Sequence, residues 1–349
     1  MRLGLNLGYW GAGNDADNLV LAKAADDLGY SVCWAAEAYG SDAATVLAWV
    51  GAQTKQIGLG SAVFQIPGRS AANTAMTAAT LDTLSGGRFR LGLGVSGPQV
   101  SEGWHGVRFD QPLARTREYV DVVRLALSRK KVEYHGKFID LPLPNGPGKA
   151  LSLTVHPVRE EIPIYLAAIG PKNLELAGEI ADGWLALFFS PEDSTDSYNA
   201  VVSGRARVGL DMTGFDVVPT VPVVIGADPV KCGDLVRAYA ALYIGGMGSR
   251  EQNFYNQLAT RMGYGDAARE IQDRFLEREY AAAAAAVPFE FVDRTSLLGP
   301  VERIAERLPA YAAAGVTTLS VGLYSPDLGD RLAALDGVAK ALELSGLGG

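Results

Sequence analysis

The feature that most constrains this chain is an eightfold alternation of strand-like and helix-like segments. Strand-like runs fall at 2–7, 32–36, 57–63, 88–94, 163–168, 183–189, 217–225 and 317–323. Helical patterns lie near 15–29, 42–53, 71–84, 113–129, 172–181, 191–207, 229–243 and 329–344. A run such as IPIYLAA (162–168) is apolar without a break, as expected of a strand buried on both faces of a parallel sheet. Regular alternation of this kind implies an α/β fold with a parallel sheet, and eight units suffice to close a (β/α)8 TIM barrel. A doubly wound open sheet is the alternative. Two segments exceed what the barrel needs. Residues 130–161, after the fourth helix, include VEYHGKFIDL, which reads as a hairpin turning at His135 and Gly136. Residues 244–295, before the eighth strand, carry extra helix, including six alanines at 281–286 ended by Pro288. Neither has a self-sufficient core, so both read as insertions in one domain spanning 1–349.

Composition narrows the function. A hydrophobic content of 48% with 41 glycines suits a large core and many tight turns. The net charge of −8 argues against nucleic acid or an anionic membrane as partner, so any polyanionic ligand needs a local cationic cluster. Cys33 and Cys232 form no Cys-x-x-Cys pair, and His105, His135 and His156 are scattered, so no metal site is expected. No run of about 18 apolar residues offers a membrane span. MRLGLNL at the start reads as a strand and not a signal peptide. The expectation is a reduced, cytoplasmic protein that acts on a small-molecule substrate.

Four loop motifs carry chemistry. In AAIGPKNLELAGEIADGW (167–184), an apolar strand passes through Gly170, Pro171 and Lys172 directly into a helix. Pro171 suits the first helical position, and Gly170 permits close backbone approach. Lys172 is out of place, because a cation in the first turn opposes the helix dipole by about 0.3–1 kcal/mol. A bound anion resolves the conflict, since amides, dipole and ammonium then converge on it; the plain alternative is a tight turn with a solvated lysine. GLGVSG (92–97) fits Gly-x-Gly-x-x-Gly, but it follows the fourth strand and Pro98 interrupts any immediate helix, against a dinucleotide fold. Its glycines either fit strand edges inside a barrel or leave Gly94, Val95 and Ser96 as a bare wall against a flat ring, the reading the loop position favours. SGGR (85–88) reads as a stop to the third helix. Glu37 and Gln65 end the second and third strands, on the face where barrel enzymes place chemistry. Tyr9, Trp10, Trp104 and His105 supply aromatic walls near the same loops.

Together VCWAAEAYGSDA, LDTLSGGRFRLGLGVSGPQ, AAIGPKNLELAGEIADGW and LLGPVERIAERLPAYAAAGVTTL resemble the luciferase-like flavin and deazaflavin oxidoreductases. The likeness is greatest to actinobacterial coenzyme F420-dependent members, including the methylenetetrahydromethanopterin reductase-like group, and it spans nearly the whole chain. The resemblance implies a tricyclic ring at the strands' C-terminal ends and a phosphate arm held by Ala168, Ile169, Gly170, Pro171 and Lys172. It implies a non-proline cis peptide at Ala62–Val63, bulging under the ring, with Gln65, Gly94, Val95 and Ser96 beside it. It implies hydride exchange between coenzyme F420 and a small organic substrate, with Glu37 as acid/base and His105 as second candidate. Lys172 and Arg69 are then expected to meet the cofactor's acidic tail. An FMN-dependent monooxygenase is the alternative within this family, and a non-catalytic cofactor carrier the alternative outside enzymes. A homo-oligomer, commonly a dimer, is the family expectation. One departure matters: sugar-phosphate dehydrogenases of the family carry histidine beside the acid, whereas Ala38 follows Glu37 here, so glucose 6-phosphate is not expected.

Overall fold

The computed structural model describes residues 1–8 and 15–348. Eight parallel strands form its centre: β1 (Arg2–Asn6), β2 (Val32–Ala35), β3 (Gly58–Ser61), β4 (Phe89–Gly94), β5 (Ile164–Ala167), β6 (Gly183–Leu187), β7 (Asp216–Ile225) and β8 (Thr318–Leu323). Each pairs with its neighbours in chain order, and β8 returns to β1, with Leu3 opposite Leu319 and Leu5 opposite Val321. That last pairing closes the sheet. The fold is a (β/α)8 barrel, and the open doubly wound alternative is excluded.

Two large rings fill the barrel's interior. Trp34 of β2 and Tyr165 of β5 meet edge to face, with centroids 5.3 Å apart, among Val32, Leu185 and Val218. Neighbouring strands make room for them with glycine. A Cβ on Gly60 would lie 2.1 Å from the Trp34 ring, and one on Gly183 would lie 2.4 Å from the Tyr165 ring. The N-terminal end of the barrel is tied by Asp216, which accepts from Tyr165 Oη at 3.0 Å and Thr318 Oγ1 at 2.8 Å and pairs with Arg2 at 2.9 Å. The SGGR stretch ends its helix: Ser85 follows Ala71–Leu84, Gly86 and Gly87 take φ of 66° and 85°, and Arg88 donates to the carbonyls of Gly51, Thr54 and Ile57.

β3 stops at Ser61, and the chain resumes as Phe64–Gln65 beside Leu93 and Gly94 of β4. Between them, the Ala62–Val63 peptide bond is cis, the bond named by the resemblance. The first surplus segment contains the expected hairpin, Tyr134–His135 against Asp140–Leu141, anchored where Glu118 accepts from the N–H groups of Lys137, Phe138 and Ile139. The second begins with a π-helical turn, Leu242–Gly246, and the helix Phe254–Ala259, continues through a second π turn, Thr260–Tyr264, and ends with three more helices, Gly265–Leu276, Tyr280–Ala285 and Phe289–Arg294. It shares an apolar cluster with Phe188 and Val224 of the barrel. Two helices escaped the sequence reading: Pro98–Gly103, which Pro98 opens from the first helical position instead of interrupting, and Val301–Ala313, with Pro309 inside it and Tyr311 fully buried. Among the described residues, no helix is long and apolar enough to cross a membrane.

Candidate functional site

At the C-terminal ends of the strands, the barrel opens into a cavity with two lobes, of about 730 Å3 and about 460 Å3. Glu37, Val63, Ala167, Leu185, Tyr243 and Tyr255 line both lobes, so the two are continuous. The larger lobe also gathers Gln65, Gly94, Val95, Ser96 and the turn from Ala168 to Lys172; Ala62 faces the smaller one. Residues from β2, β3, β4 and β5 thus meet around one space, although up to 135 positions separate them in the chain.

The turn at Gly170 has an open side. Gly170 has φ −79° and ψ 149°, which any residue adopts, and a Cβ built there meets nothing within 4 Å. Neither backbone conformation nor packing therefore requires glycine. Pro171 opens the helix Pro171–Ile180, whose N-terminus has no side-chain cap. Trp184 Nε1 donates to Ala168 O at 2.9 Å and Asn173 Nδ2 to Ala167 O at 3.3 Å, fixing the approach to the turn. Lys172 is exposed and pairs with no carboxylate among the described residues.

Gln65 is buried, and its Nε2 donates to Ser96 Oγ at 3.1 Å while its Oε1 lies 2.9 Å from His105 Nε2. An amide oxygen only accepts, so in this arrangement Nε2 of the imidazole carries the hydrogen. His105 lines neither lobe. It stands behind Gln65 and orients it, which corrects the expectation that His105 touches the reacting groups. Ser96 sits in the left-handed region with φ 63°, a conformation uncommon for a residue with a side chain. The glycines before it divide the two readings of GLGVSG. A Cβ on Gly92 would lie 1.9 Å from Ser61 O, so Gly92 serves strand packing; Gly94 borders the cavity and leaves room for Val63.

Glu37 is largely buried. Its Oε2 accepts from Arg69 Nη2 at 2.8 Å and from the Ala43 N–H at 3.1 Å, while among the described residues Oε1 has only the Gln65 N–H at 3.5 Å. Oε1 is the less engaged oxygen. Arg69 is also paired with Asp42 and lies over the Phe64 ring. Burial works against its charge, but the hydrogen bonds and charges of Glu37 and Asp42 outweigh that and hold it above the ordinary arginine range. Arg69 is thus consumed by two carboxylates and is not available to an acidic tail, a second correction. The third concerns Trp104, which caps the helix Pro98–Gly103 and is carried outwards to 66% exposure, away from both lobes. Tyr9 and Trp10 lie outside the described residues.

The sequence reading missed the far wall. Tyr243, at the end of the preceding helical stretch, and Gly246, Met247, Phe254 and Tyr255 from the second surplus segment close the larger lobe. The signal was a cluster of aromatic residues and glycines at 239–255, spacing that an ordinary amphipathic helix explains equally well.

Similarity to known proteins agrees with this geometry. The luciferase-like monooxygenase family matches residues 8–318. A protein of Mycobacterium tuberculosis, whose name describes a coenzyme F420-dependent oxidoreductase, is 44% identical over 342 residues, covering 96% of this chain and 99% of its own length. The 5,10-methylenetetrahydromethanopterin reductase of Archaeoglobus fulgidus is 29% identical over 307 residues, covering 86% of this chain and 87% of its own. Among solved structures, the coenzyme F420-dependent tetrahydromethanopterin reductase of Methanopyrus kandleri has a TM-score of 0.82 at 23% identity, with 97% of each chain covered. This last is a likeness of fold.

Proposed function

Because this chain belongs to the luciferase-like monooxygenase family, we propose that it binds coenzyme F420 in the larger lobe and exchanges hydride with a small organic substrate beside it. The observation that carries the proposal is the turn at Gly170, where an unfilled space, an uncapped helix start and an unpaired Lys172 meet at one end of the cavity. Those features suit a phosphate. In this reading the backbone of Ala168, Ile169 and Gly170 holds the phosphate, with Lys172 as its counter-charge. Val63, Gly94, Val95 and Ser96 flank the ring, and Gln65, oriented by His105, meets its polar edge.

When bound, the deazaflavin supplies a carbon that donates or accepts hydride. The chain supplies orientation, exclusion of water and a place for the accompanying proton. Glu37 stands where the two lobes join, and its less engaged Oε1 takes or gives that proton. Arg69 and the Ala43 amide hold the other oxygen and so fix the carboxylate's direction.

A single-turnover experiment tests this reading. Protein loaded with reduced F420 is mixed anaerobically with a panel of ketones and enones, and reappearance of the oxidised cofactor's absorbance is followed. Substrate-dependent reoxidation without oxygen is expected. Turnover that requires oxygen and FMN instead would favour a monooxygenase, the activity in the family's own name.

A further inference from the structure

We infer that the smaller lobe selects an uncharged, ring-containing ketone or secondary alcohol; this rests on the proposed function and names its substrate class. The lobe is walled by a belt of four tyrosines. Tyr239 lies 4.8 Å from both Tyr243 and Tyr324, and Tyr243 lies 4.8 Å from Tyr255, at interplanar angles from 53° to 89°. Leucines from β1, β8 and the insertion complete the wall. Rings that line the lobe in this way give a planar guest aromatic surface to pack against. A volume of about 460 Å3 is at the lower end of pockets that enclose drug-sized molecules.

The charges in the lobe exclude an anion. Among the described residues, the ionised side chains lining it are Glu37 and Arg331, and each is already paired, Glu37 with Arg69 at 2.8 Å and Arg331 with Asp17 at 2.6 Å. Asn6 is engaged as well, donating to Thr220 Oγ1 at 3.1 Å and accepting from the Gly8 N–H at 2.8 Å. An anionic guest would be desolvated beside a carboxylate with no free counter-charge, which is strongly unfavourable. A neutral ring loses little on entry and gains apolar contact. The contrast with the larger lobe, where Lys172 is unpaired, separates the two halves by chemistry.

Glu37, at the junction, sets the reaction class. In the reducing direction the carbonyl carbon takes a hydride from the reduced deazaflavin and the carbonyl oxygen takes one proton. The π pair of the C=O bond becomes the pair of the new O–H bond, and the product is the secondary alcohol. The reverse direction returns hydride to the oxidised deazaflavin and the proton to the carboxylate.

Titration calorimetry tests the lobe without relying on turnover. α-Tetralone and an analogue bearing a carboxylate on its aromatic ring are titrated into the protein, with and without F420. The neutral ketone is expected to bind at least about tenfold more tightly than the carboxylate. Tyr239→Ala and Tyr324→Ala should weaken the ketone at least about fivefold while F420 affinity stays within about twofold. Should these variants fail to fold, Leu323→Arg reads the same wall, since an added cation must shift the preference towards the carboxylate. Equal or tighter binding of the carboxylate to the parent, or no response to any of these variants, overturns the inference. Failure of F420 to bind overturns the proposed function instead, and the titrations without cofactor still decide the lobe.

Discussion

Gly170 occupies a position that its own backbone angles and neighbours leave open to any residue, and the proposed phosphate would give its missing side chain a purpose. Gly170→Val therefore should fold like the parent yet lose at least about tenfold in F420 affinity, because a branched side chain fills the space for close approach. Thermal unfolding and fluorescence titration on the same preparation check this; a variant that unfolds early or binds normally contradicts it. Lys172→Ala should weaken F420 by about 1–3 kcal/mol if its ammonium bonds the phosphate. At Glu37, Glu37→Gln preserves size but cannot shuttle a proton, so single-turnover hydride transfer should fall at least about a hundredfold with F420 affinity little changed. Transfer within a few-fold of the parent would reduce Glu37 to a partner for Arg69. Gly170, Pro171 and Lys172 were legible in the sequence because their meaning is local: a turn, a helix start and a charge on the wrong end of a dipole. Arg69 and His105 were not. Their partners, Asp42 and Gln65, lie 27 and 40 positions away, and no pattern in a sequence states which loops will converge.

The elements were legible where burial imposes a period. Seven of the eight barrel strands lie within their apolar runs and β7 starts one residue earlier, at Asp216, since a parallel strand covered on both faces is mostly apolar along its length. The helix Val301–Ala313 was missed because Pro309 interrupts its pattern, and the cavity wall at 242–255 because a π-helical turn shifts side chains out of the 3.6-residue register. Register between elements depends on buried polar anchors, and Asp26 is the clearest. It accepts from the N–H groups of Lys55, Gln56 and Ile57 at 2.7, 2.9 and 2.6 Å, pinning the entry to β3. Burial opposes its charge, and these three bonds outweigh that, holding the carboxyl below the ordinary aspartate range. A depressed folded value means its stabilisation is full above that range and is lost as pH falls through the lowered value. Asp26→Asn should cost about 1–3 kcal/mol in urea unfolding at about pH 7, and the gap to the parent should narrow at about pH 3. A gap independent of pH would assign the loss to packing and not to the charge.

At the scale of the whole molecule, an acidic chain with net charge −8 is unsuited to a polyanionic cofactor except where cations are left unpaired. Its ion pairs consume Arg69 and Arg331 and leave Lys172 at the open turn. The barrel supplies a rim, filled below by Trp34 and Tyr165, and the insertion adds an aromatic wall on the cavity's far side. Cofactor identity is the claim on which the rest depends. The most direct measurement is equilibrium titration of the same cofactor-free protein with coenzyme F420 and with FMN. F420 is expected to bind at least about tenfold more tightly, because its acidic tail adds anions beyond the phosphate, and Arg261, which donates to Ile169 O at 3.5 Å and makes no ion pair among the described residues, is a second cation beside Lys172 at the turn. Equal or tighter binding of FMN would contradict the account and move the chain to flavin chemistry.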